Sequence, residues 1–134
     1  MTSPQLAGRR VLIVDDDPDV RSSMDLAFRG EGAATQAVGD GNAAVHAVLF
    51  ERPDLMVLDM MLPARSGFLV LEKLREMDDP PPVIMVTANQ GRRHMAYAQS
   101  LGVRAYFTKP VALQRLIERA AEIVAADRPR DGAA

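Results

Sequence analysis

The 134-residue sequence contains no cysteine and no tryptophan. The first absence excludes a disulfide framework, a thiolate nucleophile and a cysteine-ligated metal, and it suits a reducing, cytoplasmic setting. Long apolar runs are missing too. VLIV (Val11–Val14), LMVL (Leu55–Leu58) and VIMV (Val83–Val86) are four residues each, against the roughly 20 needed to cross a bilayer. The opening MTSPQLAG has no apolar stretch behind a basic patch, so residues 1–8 read as a flexible lead-in and not as a signal peptide. Neither of the glycine-rich phosphate loops occurs, GxxxxGK followed by Ser or Thr, or GxGxxG, which disfavours nucleotide binding. Positive charge is short as well: 16 basic against 18 acidic residues, a net charge of −2, argues against direct nucleic-acid binding. The imbalance is uneven, with an excess of +4 from Arg92 onward and −6 before it, so an acidic site is expected early and a basic face late.

What is present is a rhythm. Short β-rich runs begin near Val11, Ala33, Leu55, Val83 and Ala105, each followed by an amphipathic stretch. VLIV, LMVL and VIMV are apolar throughout instead of alternating, as strands covered on both faces must be, whereas AATQAV and RAYF suit the sheet edges. Helix ends are signalled locally. Asp17 before Pro18 caps a helix that Gly30 and Gly32 stop, Asp40 caps a second that closes before Pro53, and Pro80–Pro82 end a third running from about Ala64 to Met77. A fourth runs from about Gln90 to Leu101, with Gly102 as a left-handed cap, and the last carries Leu113, Leu116, Ile117, Ala120, Ile123 and Val124 on one side. Five βα units with right-handed crossovers make one α/β domain: a doubly wound, five-stranded parallel sheet in a three-layer sandwich. Residues 127–134 turn polar and are expected to fray.

Ligands of such sheets bind outside the carboxyl ends of the strands. Those ends carry Asp15 and Asp16 after VLIV, Asp59 after LMVL, Thr87 after VIMV and Lys109 after AYFT. Three carboxylates held together must raise one another's pKa or recruit a cation, and a hard oxygen set open to water suits Mg2+. His46 and His94 fall on helices away from these ends and read as ordinary surface or boundary residues. A magnesium–carboxylate pocket beside an ammonium and a hydroxyl is a phosphoryl site in outline. With no glycine loop to hold a nucleotide, the remaining role for a carboxylate is to accept the phosphoryl group, and Asp59 is the candidate.

VLIVDDDP, LMVLDMMLPARSGF, VIMVTA and AYFTKP, in this order and spacing, closely resemble the receiver domain of bacterial two-component response regulators (CheY-like) over residues 9–126. The resemblance implies strand order 2-1-3-4-5. It implies that Asp59 accepts a phosphoryl group from a histidine kinase or histidine phosphotransfer domain. Mg2+ would be held by Asp16 directly, by Asp15 largely through water, by Asp59, and by the backbone carbonyl of Met61. Lys109 would hold a phosphoryl oxygen, next to a cis Lys109–Pro110 bond. Thr87 and Tyr106 would form the switch pair: on phosphorylation the hydroxyl moves toward the phosphoryl group, the ring turns inward, and the surface of the fourth helix, fifth strand and fifth helix changes.

The chain departs from the pattern in places. Ser66 stands where many relatives have Asp, and Val103–Arg104 stands where one DNA-binding subfamily often has aspartates, which weakens the case for that subfamily's dimer. Met61 and Asn89 flank the expected phosphoryl site without an ionisable group, so slow self-dephosphorylation is expected. The leading reading is therefore a phosphoacceptor signalling domain, monomeric or dimerising on phosphorylation, that controls a downstream protein or an output domain missing from this chain. The alternative, a Mg2+-dependent phosphohydrolase with an aspartyl-phosphate intermediate, needs a general acid/base near the nucleophile and a substrate-selecting cap; Met61 and the short loops supply neither. A third reading, a receiver that works without phosphorylation, sits poorly with five intact key positions.

Overall fold

The computed structural model describes residues 4–88 and 91–127. The expectations for Asn89, for the start of the fourth helix at Gln90 and for fraying from 128 to 134 fall outside the described residues. Ten elements alternate along the chain: β1 (Arg10–Val14), α1 (Pro18–Gly30), β2 (Ala34–Val38), α2 (Gly41–Phe50), β3 (Leu55–Leu58), α3 (Gly67–Leu74), β4 (Val83–Thr87), α4 (Arg92–Ser100), β5 (Ala105–Thr108) and α5 (Leu113–Ala126). All strand pairs are parallel, in the order β2-β1-β3-β4-β5, as the sequence led us to expect.

The apolar runs become the three central strands because each feeds two cores. Successive side chains of a strand point to opposite faces. Val11, Ile13, Leu55, Val57, Ile84 and Val86 thus face α1 and α5, where they meet Met24, Phe28, Leu116 and Ile123. Leu12, Val14, Met56, Leu58, Val83 and Met85 face α2, α3 and α4, where they meet Val45, Val48, Leu71 and Ala98. Strands β2 and β5 lie at the edges and are only partly covered.

Helix starts follow side-chain capping. Asp17 accepts from the backbone N–H of Asp19 (2.9 Å) and of Val20 (3.3 Å), and Asp40 accepts from Ala43 N–H (2.8 Å), which satisfies donors a helix leaves open in its first turn. Gly102 adopts φ +92°, the left-handed conformation that closes α4.

Two expectations need correction. Helix α3 runs from Gly67 to Leu74 and not from near Ala64 to Met77: Ser66 Oγ caps its start (Leu69 N–H, 3.3 Å), Ala64 is held at φ +68°, incompatible with a helix, and after Leu74 the chain tightens into i→i+3 turns (Glu76 N–H to the Lys73 carbonyl, 3.1 Å; Met77 N–H to the Leu74 carbonyl, 3.0 Å). The lead-in is not loose from residue 4 onward: Leu6 is fully buried beside Phe28, and its N–H donates to the Glu31 carbonyl at 2.9 Å. One leucine among exposed neighbours is enough to anchor a segment when it packs into a core.

Candidate functional site

The direction of chain winding reverses between β1 and β3, and at such a switch point the two following loops diverge and leave a crevice. The β1–α1 loop delivers Asp15 and Asp16 to it and the end of β3 delivers Asp59. One carboxylate oxygen from each of the three lies within 4.8 Å of the others. Asp15 and Asp59 are 0% and 4% exposed, while Asp16 is open to solvent.

Lysine and backbone donors keep the carboxylates in place. The Lys109 ammonium, carried past the end of β5, lies 2.7 Å from Asp15 Oδ2 and 3.1 Å from Asp59 Oδ2. Asp15 Oδ1 accepts from Asp17 N–H (2.9 Å) and Asp59 Oδ1 from Met61 N–H (3.2 Å). The Lys109 N–H donates to the Thr87 carbonyl at 2.9 Å, which ties the lysine's strand to β4, and the Lys109–Pro110 bond is cis.

The electrostatics record a crowded anionic pocket. Burial raises the Asp15 carboxyl above its ordinary value, against the lowering effects of Lys109 and the Asp17 N–H. For Lys109 burial works the other way, but its ion pairs with Asp15 and Asp59 outweigh it and hold the ammonium above the usual lysine range. Tyr106 is raised first by burial and then by the charge of Asp59, so the phenol senses the same carboxylate.

Thr87 is fully buried at the end of β4. Strand alternation puts it on the face of Met85, and Met85 pairs across to Tyr106, which packs on the α2–α3–α4 core. The two expected switch residues therefore share a face. Met61 is 62% exposed at the rim. His46 and His94 are exposed, as expected, although His94 is not idle: its ring stacks on Phe68 of α3 (centroids 5.8 Å apart), and Phe68 also meets Tyr97 edge-on at 5.0 Å.

Two glycines do work that the sequence reading missed. A Cβ on Gly67 would stand 2.3 Å from the carbonyl oxygen of Asp59, and one on Gly41 would stand 1.8 Å from that of Arg65. The chain behind Asp59 and the loop that follows it are thus packed directly against bare backbone. A glycine seen alone in sequence gives no sign of what approaches it.

The family model that describes the response regulator receiver domain matches residues 11–121. The chain belongs to the response regulator receiver family. Curated relatives of this receiver include the DNA-binding response regulator MtrA of Mycolicibacterium smegmatis, 38% identical over 111 residues, which are 83% of this chain and 48% of the relative. The response regulator MprA of Mycolicibacterium vanbaalenii is 33% identical over 124 residues, covering 92% of this chain and 54% of its own. The receiver thus spans about half the length of the curated relatives it matches. Among solved structures, the receiver domain of the Francisella response regulator 1452 superposes with a TM-score of 0.83 at 27% identity, over 88% of this chain and 98% of that one. A CheY-like response regulator receiver domain protein from Methanospirillum hungatei gives a TM-score of 0.83 at 27% identity, over 87% of this chain and 94% of that one. No helix among the described residues is long and apolar enough to cross a membrane.

Proposed function

We propose that this receiver is phosphorylated on Asp59 in a Mg2+-dependent reaction, with a histidine kinase or histidine phosphotransfer domain as donor. The observation that carries the reading is the convergence of three carboxylates and one ammonium, from three separate segments, at the switch point of the sheet. The donor set fits a hard divalent cation: all ligands are oxygens, Asp16 is open to water, and buried Asp15 Oδ2 has no well-aligned hydrogen bond despite its ion pair with Lys109. Asp15, Asp16, Asp59 and the Met61 carbonyl would hold the ion. Bound there, Mg2+ supplies positive charge that offsets the phosphoryl oxygens.

The chain's own groups do the rest. An oxygen of Asp59 attacks the phosphorus of phosphohistidine; the O–P bond forms, the P–N bond breaks, and its electron pair returns to the imidazole nitrogen, which takes up a proton. Asp59 Oδ2 is held by Lys109 before transfer. When the ammonium turns to an incoming phosphoryl oxygen, it releases that carboxylate oxygen and neutralises the new charge in one movement. The Thr87 hydroxyl then donates to the phosphoryl group, Tyr106 follows on the same face, and the α4–β5–α5 surface changes. Only contacts made in the phosphorylated state shift this equilibrium. The signal passes to a partner protein or to an output domain, without direct nucleic-acid binding by this domain, and in the cytoplasm; phosphorylation-dependent dimerisation is compatible with it. The domain spans residues 9–126 with its lead-in packed from Leu6.

Intact mass after incubation with Mg2+ and acetyl phosphate tests the reading. One phosphoryl group should be gained, and lost with a chelator or in Asp59→Asn. Repeated turnover of small phosphomonoesters would favour the phosphohydrolase instead. Because Met61 offers no group to guide water, the acyl phosphate should outlast that of Met61→Asn.

A further inference from the structure

We propose that Arg21 is a positioning residue for the divalent cation, its guanidinium fixing the Asp15 peptide from a niche that Gly39 leaves open. The inference rests on the reading of the acidic pocket as a Mg2+ site. Arg21 lies one turn into α1, half-buried, and its Nη1 donates to the Asp15 carbonyl at 2.7 Å. Among the described residues it forms no salt bridge, so its charge is spent on a carbonyl and not on a carboxylate. A charge-assisted bond of this kind is short and strong. The acceptor matters, because the Asp15 carbonyl belongs to the peptide that joins Asp15 to Asp16. At its other end Asp15 is tied by its N–H to the Val38 carbonyl at 3.2 Å. With the side chain held by Lys109 and Asp17 N–H, the arginine completes the restraint on the loop that carries two of the three carboxylates.

Gly39 is the second half of the device. A Cβ there would stand 3.0 Å from Arg21 Nη1 and 3.8 Å from Cζ, and no nearer than 3.9 Å to the Asp15 oxygen. The glycine thus clears space for the guanidinium and for little else. Its φ is not in the left-handed region, so backbone conformation does not require it.

Positioning and charge predict opposite signs. A cation beside the pocket repels Mg2+, so if Arg21 acted only through its charge, Arg21→Met would bind Mg2+ more tightly. If it positions the loop, Arg21→Met binds more weakly, by roughly tenfold as for other supports of metal ligands. Calorimetric titration with MgCl2 decides, using wild type, Arg21→Met, Arg21→Lys, Gly39→Ala and the Arg21→Met/Gly39→Ala double variant. Arg21→Lys should recover part of the loss. Gly39→Ala should weaken binding in wild type and add nothing to Arg21→Met. Thermal midpoints in chelator establish that each variant is folded, and a merely structural arginine would lower the midpoint while leaving Mg2+ affinity unchanged. In labelling by acetyl phosphate, the Mg2+ concentration at half-saturation should rise while the rate at saturating Mg2+ is kept. Failure of the wild type to bind Mg2+ would overturn the metal-site reading and this inference with it. Equal or tighter binding by Arg21→Met, beside a wild type that binds, would overturn this inference alone, and additive losses in the double variant would remove Gly39 from it.

Discussion

The middles of the strands and their carboxyl ends obey different rules. Within a few ångströms along the same chain, Val14 and Leu58 are fully buried in a packed apolar core, and the next residues, Asp15 and Asp59, are nearly as deeply buried as carboxylates. The middle layer buries apolar side chains on both faces of β1, β3 and β4, while the end layer holds close anions, bare-backbone contacts and a residue at positive φ. Apolar burial in the first layer favours the fold, whereas the buried charge and backbone strain of the second work against it.

The largest test removes packing from the middle. Phe28, carried on α1, is fully buried in the core that α1 and α5 form with the sheet, so Phe28→Ala should cost about 3–5 kcal/mol in urea unfolding. Below its lowered melting temperature the variant should still be labelled on Asp59. A loss of labelling in fully folded protein would show that the two layers are not separable. Gly67→Ala attacks their junction. Its Cβ would meet the Asp59 carbonyl oxygen at 2.3 Å and Met60 Cα at 2.7 Å, both backbone, so the chain must move. A cost of about 1–3 kcal/mol is expected, together with labelling slowed more than in Phe28→Ala at equal fraction folded.

Asp15→Asn should have the opposite sign. Burial raises the Asp15 carboxyl, meaning the folded chain holds this proton more tightly than the unfolded chain. Such a group contributes stability below its unfolded pKa of about 3.8 and loses it as pH rises through the folded value. At neutral pH the buried charge is therefore a burden, and in chelator Asp15→Asn should be the more stable protein, read as a higher thermal midpoint. Its advantage should shrink on acidification, as wild-type Asp15 protonates. Saturating Mg2+ should reverse the order, since a ligand that binds only the folded state stabilises the protein that binds it better. A variant no more stable than wild type in chelator would deny that the end layer carries this burden.

The two layers also differ in how readily sequence discloses them. VLIV, LMVL and VIMV are legible because continuous apolarity has one physical use in a βα repeat, and Asp17 and Asp40 because a cap acts on its own helix. The site residues follow from the rule that loops at strand ends converge. What escapes notice depends on two distant segments meeting. Gly67 against Asp59, Gly41 against Arg65 and Arg21 against Asp15 and Gly39 each look ordinary alone. Leu6 is hidden for the same reason, because its partner Phe28 lies more than twenty positions away. The start of α3 is hidden because PARS can begin a helix in sequence; the tight turn at Ala64 and the cap at Ser66 put the start later.

That turn supplies the smallest test. Arg65 N–H donates to the Pro63 carbonyl at 2.7 Å across Ala64, whose φ of +68° an L-residue with a Cβ adopts at a cost of about 1–2 kcal/mol. The turn has a reason: it presses Arg65 against Gly41 and so seats the loop behind Asp59 on the start of α2. Glycine makes the same turn without the clash but loses more freedom on folding, which returns up to about 1 kcal/mol of the gain. Ala64→Gly should therefore be more stable by about 0.5–1 kcal/mol, read from thermal melts in chelator, with labelling of Asp59 unchanged because the turn is the same. If the variant were stabilised yet labelled more slowly, the strain at Ala64 would be part of how the carboxylate is aimed, and the end layer would need its discomfort in order to function.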